Sequence, residues 1–307
     1  MRPGFTLVLG PHLVDSPLMH KPRTVDQPAE LLPYLFAARP SAKKKQVRTW
    51  LKYQAVLVNG RVITQFNHPL KPGDVVAIRS DRYAAPDTVI GAGIKAHFED
   101  ATLIVIEKPP DLLTIASEAG QENTAYYQLT DYLRAGNPRA QERVWIVHRL
   151  DRETSGLMVF AKTPEAKSVL QTGWDKAEKR YLAVAEGLLP EDKGTFQSWL
   201  DETSPFKVFS VPRSPAARHA VTQYRVLKRH RGRSLVELTL ETGQRHQIRV
   251  HLAAAGCPVV GDAKYGARTN PAKRLGLHAW TLRFPHPVTN QQLHFESALP
   301  ADLARLV

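Results

Sequence analysis

The sequence predicts an α+β protein: a mixed, largely antiparallel sheet domain preceded by a small α/β module. Three observations carry this. From about residue 98 the chain is a succession of short runs rich in β-branched and aromatic residues, "TLIVIEK", "VWIVHRL", "GLMVFAK", "RYLAVAEG", "HAVTQYRVL", "SLVELTLE", "LHAWTLRF" and "QLHFES", separated by Gly, Pro and charged breakers. Two clear helical candidates, about 164–177 and 244–255, interrupt them, which does not fit a regular alternation of parallel strand and helix. Residues 23–80 order themselves instead as helix, helix, hairpin and strand.

Taken along the chain, residues 1–22, with Pro3, Pro11, Pro17 and Pro22 and no apolar period, predict an arm. Leu31, Leu32, Leu35 and Phe36 then recur at helical spacing, and Pro40 and Ser41 mark a stop and a new cap. The next helix, from near Ala42, puts Val47, Trp50 and Leu51 on one stripe. Lys44, Arg48 and Lys52 fall four apart on another, with Lys45 beside them, a face suited either to solvent or to phosphates. "AVLVNGRVI" is two β-rich halves around Asn59 and Gly60, the pair that supplies positive φ in a tight hairpin, and "LKPGDVVAI" adds a further strand. Residues 81–97, with Pro86, Gly91 and Gly93, predict a linker, and 98–307 the larger domain.

Composition bounds the function. The 307 residues carry 42 Lys and Arg against 29 Asp and Glu, a net charge of +13, with 43% hydrophobic content, enough for a sizeable core. The excess charge favours a polyanion, nucleic acid or an acidic membrane surface, and no amphipathic anchor supports the membrane. Cys257 is the sole cysteine, so an internal disulfide is excluded. The apolar run Phe5–Leu9 is broken by Gly10 and Pro11, so neither a targeting segment nor a membrane span is expected, and the expected compartment is the reducing cytoplasm.

The chemistry concentrates in "VHRLDRETSGLMVFAKT", residues 147–163, a loop between strands that places Asp151 between Arg149 and Arg152 and closes on Thr154, Ser155 and Gly156. Nearby cations favour an ionised carboxylate, and an ionised Asp displayed on a rigid frame is a competent nucleophile; the same residue also suits a plain Asx turn. Downstream, "ETGQRHQIRVHLAAAGCPVVGDAKYG" enters a helix with Ile248, Leu252 and Ala255 on its buried stripe, and Arg245, His246, Arg249 and His251 elsewhere. An Arg held on a helix can meet a buried Asp in a bidentate pair. His246 and His251 are five apart and do not stack on one face, so no metal site is expected.

In that order, "HRLDRETSGLMVFAK", "KRYLAVAEG", "TGQRHQIRVHLAAAGCPVVGD" and "LHAWTLRFPHP", with "IEKPPDLL" ahead of them, resemble the RluA-type family of RNA pseudouridine synthases over about residues 100–297. Residues 23–80 resemble the small RNA-binding module first known from ribosomal small-subunit protein four. The resemblance implies a pseudouridine synthase fold, with Asp151 as the indispensable catalytic residue, Tyr181 against the flipped uracil and Arg249 paired with the Asp. It implies that Arg149 fills the place the extruded base vacates, and that no cofactor is needed. His148, Thr154, Ser155, Arg245, His246 and Gln247 are expected at the substrate, and Lys44, Lys45, Arg48 and Lys52 at RNA phosphates. The expected partner is a structured RNA, ribosomal or transfer, with no required protein partner and a monomeric chain. Two positions depart from the family pattern: Gln244 stands where Arg is common, with Arg245 next to it to compensate, and Asp111 where many relatives have Gly. Two rivals stay in view: a hydrolytic glycosidase pairing Asp151 with Glu153, which would release free uracil, and an RNA chaperone keeping the fold without the reaction.

Overall fold

The structure, a computed structural model, describes residues 18–40, 42, 44–52, 55–63, 65–79, 88–116, 121–134 and 141–307. Residues 1–17 of the expected arm and 81–87 of the expected linker lie outside this set, as do the side chains of Lys45 and Lys52. Contacts divide the chain into two units, Met1–Pro86 with Phe98–Ala101, and Asp87–His97 with Thr102–Val307.

The first unit contains β1 (Leu18–Thr24), β2 (Ala29–Glu30), α1 (Leu31–Ala38), α2 (Lys44–Lys52), β3 (Val56–Val58), β4 (Arg61–Val62), β5 (Pro69–Leu70) and β6 (Val75–Arg79). Its strands form an antiparallel sheet in the order β1-β6-β3-β4 and a two-stranded pair β2-β5. The apolar stripes bury as their spacing requires: Leu31 and Leu35 from α1, and Val47, Trp50 and Leu51 from α2, close over Val56, Val58, Val76 and Ile78. Lys44 and Arg48 remain exposed on the opposite face of α2. Asn59 and Gly60 both take positive φ, 51° and 77°, in the predicted hairpin turn. The Asn59 side chain also ties that turn to the next one, donating to Asp74 Oδ1 at 2.8 Å and accepting from Val75 N at 2.8 Å. β1 takes up the end of the expected arm. Its register against β6 is irregular between His20 and Arg23, where Pro22 has no N–H to donate.

The second unit contains β7 (Thr88–Ile90), β8 (Ile94–Glu99, of which the last two residues are grouped with the first unit), β9 (Leu103–Lys108), α3 (Ala125–Arg134), β10 (Trp145–Ile146), β11 (Ser155–Ala161), α4 (Pro164–Thr172), β12 (Glu178–Glu186), β13 (Lys193–Asp201), β14 (Phe209–Val211), β15 (Arg218–His230), β16 (Arg233–Leu240), α5 (Gln247–Ala254), β17 (Leu277–Pro285), β18 (Gln292–Glu296) and α6 (Ala301–Ala304). One 12-stranded sheet runs β14-β13-β15-β16-β12-β17-β11-β9-β8-β7, with β10 added on β11 and β18 on β17. Mixed but largely antiparallel pairing is thus the observed architecture, with β11 parallel to β17.

Three local differences from the sequence reading have physical causes. Residues 88–97, read as linker, are strand: Ile90, Ile94 and Ala96 bury, and the two glycines that suggested a break form a tight connection inside the sheet. The helix α3 escaped notice because its tyrosines and threonine carry β propensity, yet Thr124 caps it by accepting from Tyr127 N at 3.1 Å and Ala125 and Leu129 bury. The helices read at 164–177 and 244–255 are shorter. Gly173 ends α4 at Thr172, and α5 starts only after His246, whose left-handed φ of 54° sets a sharp entry.

The crossing of β11 over β17 positions everything downstream. At Gly156 the chain has φ +115°, and a Cβ there would lie 2.3 Å from the carbonyl oxygen of Ala279. β11 therefore fits between β9 and β17 only because residue 156 has no side chain. Gly156→Ala is expected to lower unfolding stability in urea by about 3 kcal/mol, since strain and overlap act together. Gly232→Ala, at φ +73° with open space around the Cβ, should cost about 1 kcal/mol and serves as the control.

Candidate active site

The loop before β11 is fastened from three sides. The hydroxyl of Thr114 donates to Leu150 O at 3.0 Å and accepts from Leu150 N at 3.4 Å. Lys108 is wholly buried, and its ammonium gives its three protons to the carbonyls of Pro109, Leu112 and Arg152 at 2.9, 2.8 and 2.9 Å. Burial pulls the Lys108 pKa down to about 7, against the opposing attraction of Asp151, Asp111 and Glu153. Thr154 N closes the turn on Asp151 O at 3.2 Å. The result presents Asp151, 22% exposed, to a cleft of about 930 Å³. Asp111 sits at φ +61° in the turn that Lys108 ties down, which explains why glycine suits this position and why aspartate, which tolerates the left-handed region, can replace it.

From the other wall comes α5, carrying Arg249. Its guanidinium is 3% exposed and makes a bidentate pair, but with Asp262: Nε to Oδ2 at 2.7 Å and Nη2 to Oδ1 at 2.8 Å. The expected two-bond pair with Asp151 is therefore corrected. The remaining nitrogen, Nη1, reaches Asp151 Oδ2 at 3.3 Å and Glu153 Oε2 at 3.4 Å, so one arginine serves three carboxylates. Burial alone would favour loss of its charge, but the bonds and charge of Asp262, then Asp151 and Glu153, raise its pKa and hold it cationic. Glu153 is kept below its usual range: burial works the other way, and is outweighed by a backbone hydrogen bond and by Arg249, Arg152 and Lys264.

His246 lies beside this group, Nε2 3.9 Å from Asp151 Oδ1 and Nδ1 2.8 Å from the Tyr265 hydroxyl. That hydroxyl already accepts from Val208 N at 2.9 Å, so its own proton is placed to go to Nδ1, leaving the Nε2 proton facing Asp151. Burial lowers the His246 pKa, Asp151 opposes it, and Arg249, Lys264 and Arg245 reinforce it. Tyr181, central in β12, is buried on the cleft wall, and burial followed by the charge of Asp151 raises its phenol well above the usual value.

The structure thus gathers Asp151, Tyr181, Arg249 and His246 at one place, with Arg149 exposed at the rim and without a hydrogen-bond or ion-pair partner among the described residues. Other residues expected at the substrate are committed elsewhere. Gln247 is buried with four partners, accepting from Thr242 Oγ1 and Gln244 N and donating to Val221 O and Thr222 Oγ1. Ser155 is buried behind the loop, bonded to Arg274 and, at 2.8 Å, to His278 Nδ1. Thr154 is buried as well; it borders the cleft, as do His148, Arg245 and Gln247. His148 stacks on Trp174 with centroids 4.4 Å apart and accepts from Val159 N at 3.1 Å. Arg245 turns away to the carbonyls of Glu202, Ser204 and Pro205, so it does not stand in for an arginine at position 244. Asp262 and Lys108 were not singled out from the sequence. The only trace of either was an acid after Gly261 and a lysine before two prolines.

The family described as RNA pseudouridylate synthase matches residues 102–254, and the S4 domain matches residues 32–76. The RNA pseudouridine synthase YhcT of Bacillus subtilis (strain 168) is 35% identical over 272 residues, covering 86% of this chain and 88% of that protein. The chain belongs to the RluA-type RNA pseudouridine synthase family. Ribosomal large subunit pseudouridine synthase D of Escherichia coli (strain K12) is 33% identical over 291 residues, covering 87% of this chain and 86% of that one. Among solved structures, human RNA pseudouridylate synthase domain containing 4 superposes with a TM-score of 0.56 at 27% identity, over 67% of this chain and 88% of that chain. This pseudouridine synthase is accordingly an isomerase acting on uridine in RNA.

Two outcomes follow for this pseudouridine synthase. Asp262→Asn leaves the buried Arg249 cation underpaired, so it is expected to lose about 3 kcal/mol of stability in urea and on the order of 10²-fold in turnover. The second concerns pH. Burial holds His148 at about 3, His251 at about 4 and His278 at about 4, all below the unfolded value near 6.5. Folded-state pKa values are depressed, so the unfolded chain binds these protons first. Their stabilisation is whole above about pH 6.5 and is lost as pH falls towards 4, by up to about 1.4 kcal/mol per pH unit for each group. Urea midpoints measured between pH 7 and 4.5 should fall along that slope, and less steeply in His251→Gln.

Proposed function

We propose that this enzyme converts specific uridines of a structured RNA, ribosomal or transfer, to pseudouridine by nucleophilic catalysis from Asp151 on a base turned out of its stack. The supporting observation is the placement of the Asp151 carboxylate at the cleft, 3.3 Å from an arginine nitrogen whose other donors are fixed by Asp262. A carboxylate aimed in this way attacks the anomeric carbon or takes the proton from the neighbouring sugar carbon. On the first route the N1–C1′ bond breaks, the uracil rotates, and C5 bonds to C1′ as the carboxylate leaves. The freed carboxylate is then a base for the C5 proton, while N1 ends protonated. On this route the carboxylate is nucleophile, leaving group and base in turn and no electrons are gained or lost, so we expect no cofactor.

Tyr181 suits a packing role against the uracil better than a proton-accepting one, because its phenol is held neutral by burial and by the charge of Asp151. Arg149, unpaired among the described residues, has a planar group free to enter the vacated stack. Lys44 and Arg48, exposed on α2 within the S4 match, together with Lys45 and Lys52 on the same helix, supply phosphate contacts that position the RNA without reading its sequence. A ribosomal substrate is favoured by the relative named for the large subunit. No helix among the described residues is long and apolar enough to cross a membrane, and we place the enzyme in the cytoplasm with its RNA, acting as a monomer without a required protein partner.

The test is release of tritium from RNA labelled with [5-³H]uridine. Asp151→Asn is expected to lose on the order of 10³-fold or more of release while binding the same RNA within about threefold, and the wild type should liberate no free uracil. Normal release by Asp151→Asn ends the assignment of the nucleophile. Free uracil in proportion to turnover would instead support the hydrolytic pairing of Asp151 with Glu153.

A further inference from the structure

The segment between β13 and β14 carries a feature the reaction above leaves unused. Phe206 is 77% exposed, yet it borders the cleft that holds Asp151. A bare aromatic ring on a mobile loop would be unremarkable, but this loop is built to be still. Arg245 donates from its backbone N–H to Glu202 Oε1 at 2.7 Å, and its guanidinium holds the carbonyls of Glu202, Ser204 and Pro205. Thr203 N donates to Asp201 Oδ1 at 2.8 Å, Phe206 N to Ser204 Oγ at 3.3 Å, and Val208 N to the Tyr265 hydroxyl at 2.9 Å. Val208 itself is buried, and the Lys207 ammonium lies 5.2 Å from the Tyr265 ring. The backbone that carries the ring is therefore fixed by contacts on both sides of it in sequence, while the ring itself is left to solvent.

A ring presented to solvent on a fixed backbone beside the cleft can meet a ligand without first giving up a protein contact. The loop rests on Arg245, next to His246, and on Tyr265, which bonds His246, so its anchors are those of the catalytic group. The cleft is lined as well by Arg149 and Lys264, exposed cations for which no hydrogen bond or ion pair is found among the described residues. Tyr181 lines the buried wall of the cleft and Phe206 its exposed rim. The occupant that matches cations plus a stacking face is a strand of nucleic acid.

We propose that Phe206 forms a second base subsite, in which its ring stacks on the nucleobase next to the isomerised uridine and holds the strand while the uridine is extruded. This rests on the base-turning reading above. Stacking on a ring tolerates any base, so the subsite sets how efficiently a strand is held and not which sequence is chosen.

The probe is total RNA labelled with [5-³H]uridine from cells lacking the enzyme, with Phe206→Ala, Phe206→Leu and Phe206→Tyr compared with wild type. Phe206→Ala and Phe206→Leu are expected to raise the apparent KM about tenfold with kcat within about twofold, and Phe206→Tyr to stay within about threefold of wild type. Unchanged kinetics for Phe206→Ala, a Phe206→Leu enzyme equal to wild type, or a loss confined to kcat would overturn the subsite. Thermal melting guards against misfolding, which a side chain this exposed should not cause; if Phe206→Tyr, which keeps the ring, is as impaired as Phe206→Ala, the subsite also fails. Asp151→Asn run in parallel separates the two ideas: retained release there sinks the parent mechanism, whereas an inert Asp151→Asn with an unaffected Phe206→Ala sinks only the subsite.

Discussion

The geometry of the candidate site depends on one buried cation, Arg249, and on the fact that Asp262 satisfies it first. Removing a guanidinium from water is unfavourable by several kcal/mol, and a single partner at the cleft edge, such as Asp151, would have to be drawn inward to compensate. With Nε and Nη2 bound to Asp262, the arginine is already oriented when its third nitrogen meets Asp151 and Glu153. Asp151 therefore keeps one oxygen directed by a fixed donor and remains partly open to the cleft. Three carboxylates around one arginine would be repulsive by themselves. Lys108, buried beneath the loop, is the other basic group near these carboxylates: Asp151 and Glu153 favour its charged form against the burial that lowers its pKa to about 7.

The sheet makes this arrangement stiff. β11 leaves the loop between β9 and β17, and the absence of a side chain at Gly156 lets it approach the Ala279 backbone. Just behind, Ser155 begins a buried polar chain through His278 and Ser297 to Glu107 and His97, with links of 2.8, 3.0, 2.6 and 3.3 Å. Glu107 is held down to about 2, chiefly by its bond to His97, and His278 stays neutral because it is buried. A one-turn slip of the loop would break this chain as well as the Lys108 bonds, so the carboxylate is defined by backbone on one side and by polar partners on the other.

What was legible in the sequence were elements whose signal is local. The Asn59–Gly60 turn, the stripe Val47, Trp50 and Leu51, and the display of Asp151 at a strand end follow from short-range pattern alone. The partner of Arg249 was not, because Asp262 lies 13 residues on, and its approach depends on a turn at Gly261 with φ +80°. Nor could the sequence divide polar residues between substrate and scaffold. Ser155 sits in the same motif as Asp151, and Gln247 and Arg245 in that of Arg249, and only a count of their donors and acceptors shows that protein groups already occupy them.

The same count sorts exposed cations by whether a protein group already holds them. Some cations are already held by protein carboxylates: Arg225 and Arg180 share Glu237, and Arg229 pairs with Asp192. Arg149 and Lys264 at the cleft and Lys44 and Arg48 on α2 have no hydrogen-bond or ion-pair partner among the described residues. A cation with a protein partner must give it up to bind a phosphate, whereas a free one exchanges only water and salt ions. On the proposed reading, affinity for RNA and orientation of the nucleophile thus rest on different arginines. Arg249 is too well satisfied to bind substrate phosphate, and Arg149 is too exposed to orient Asp151, so neither could take over the other's task.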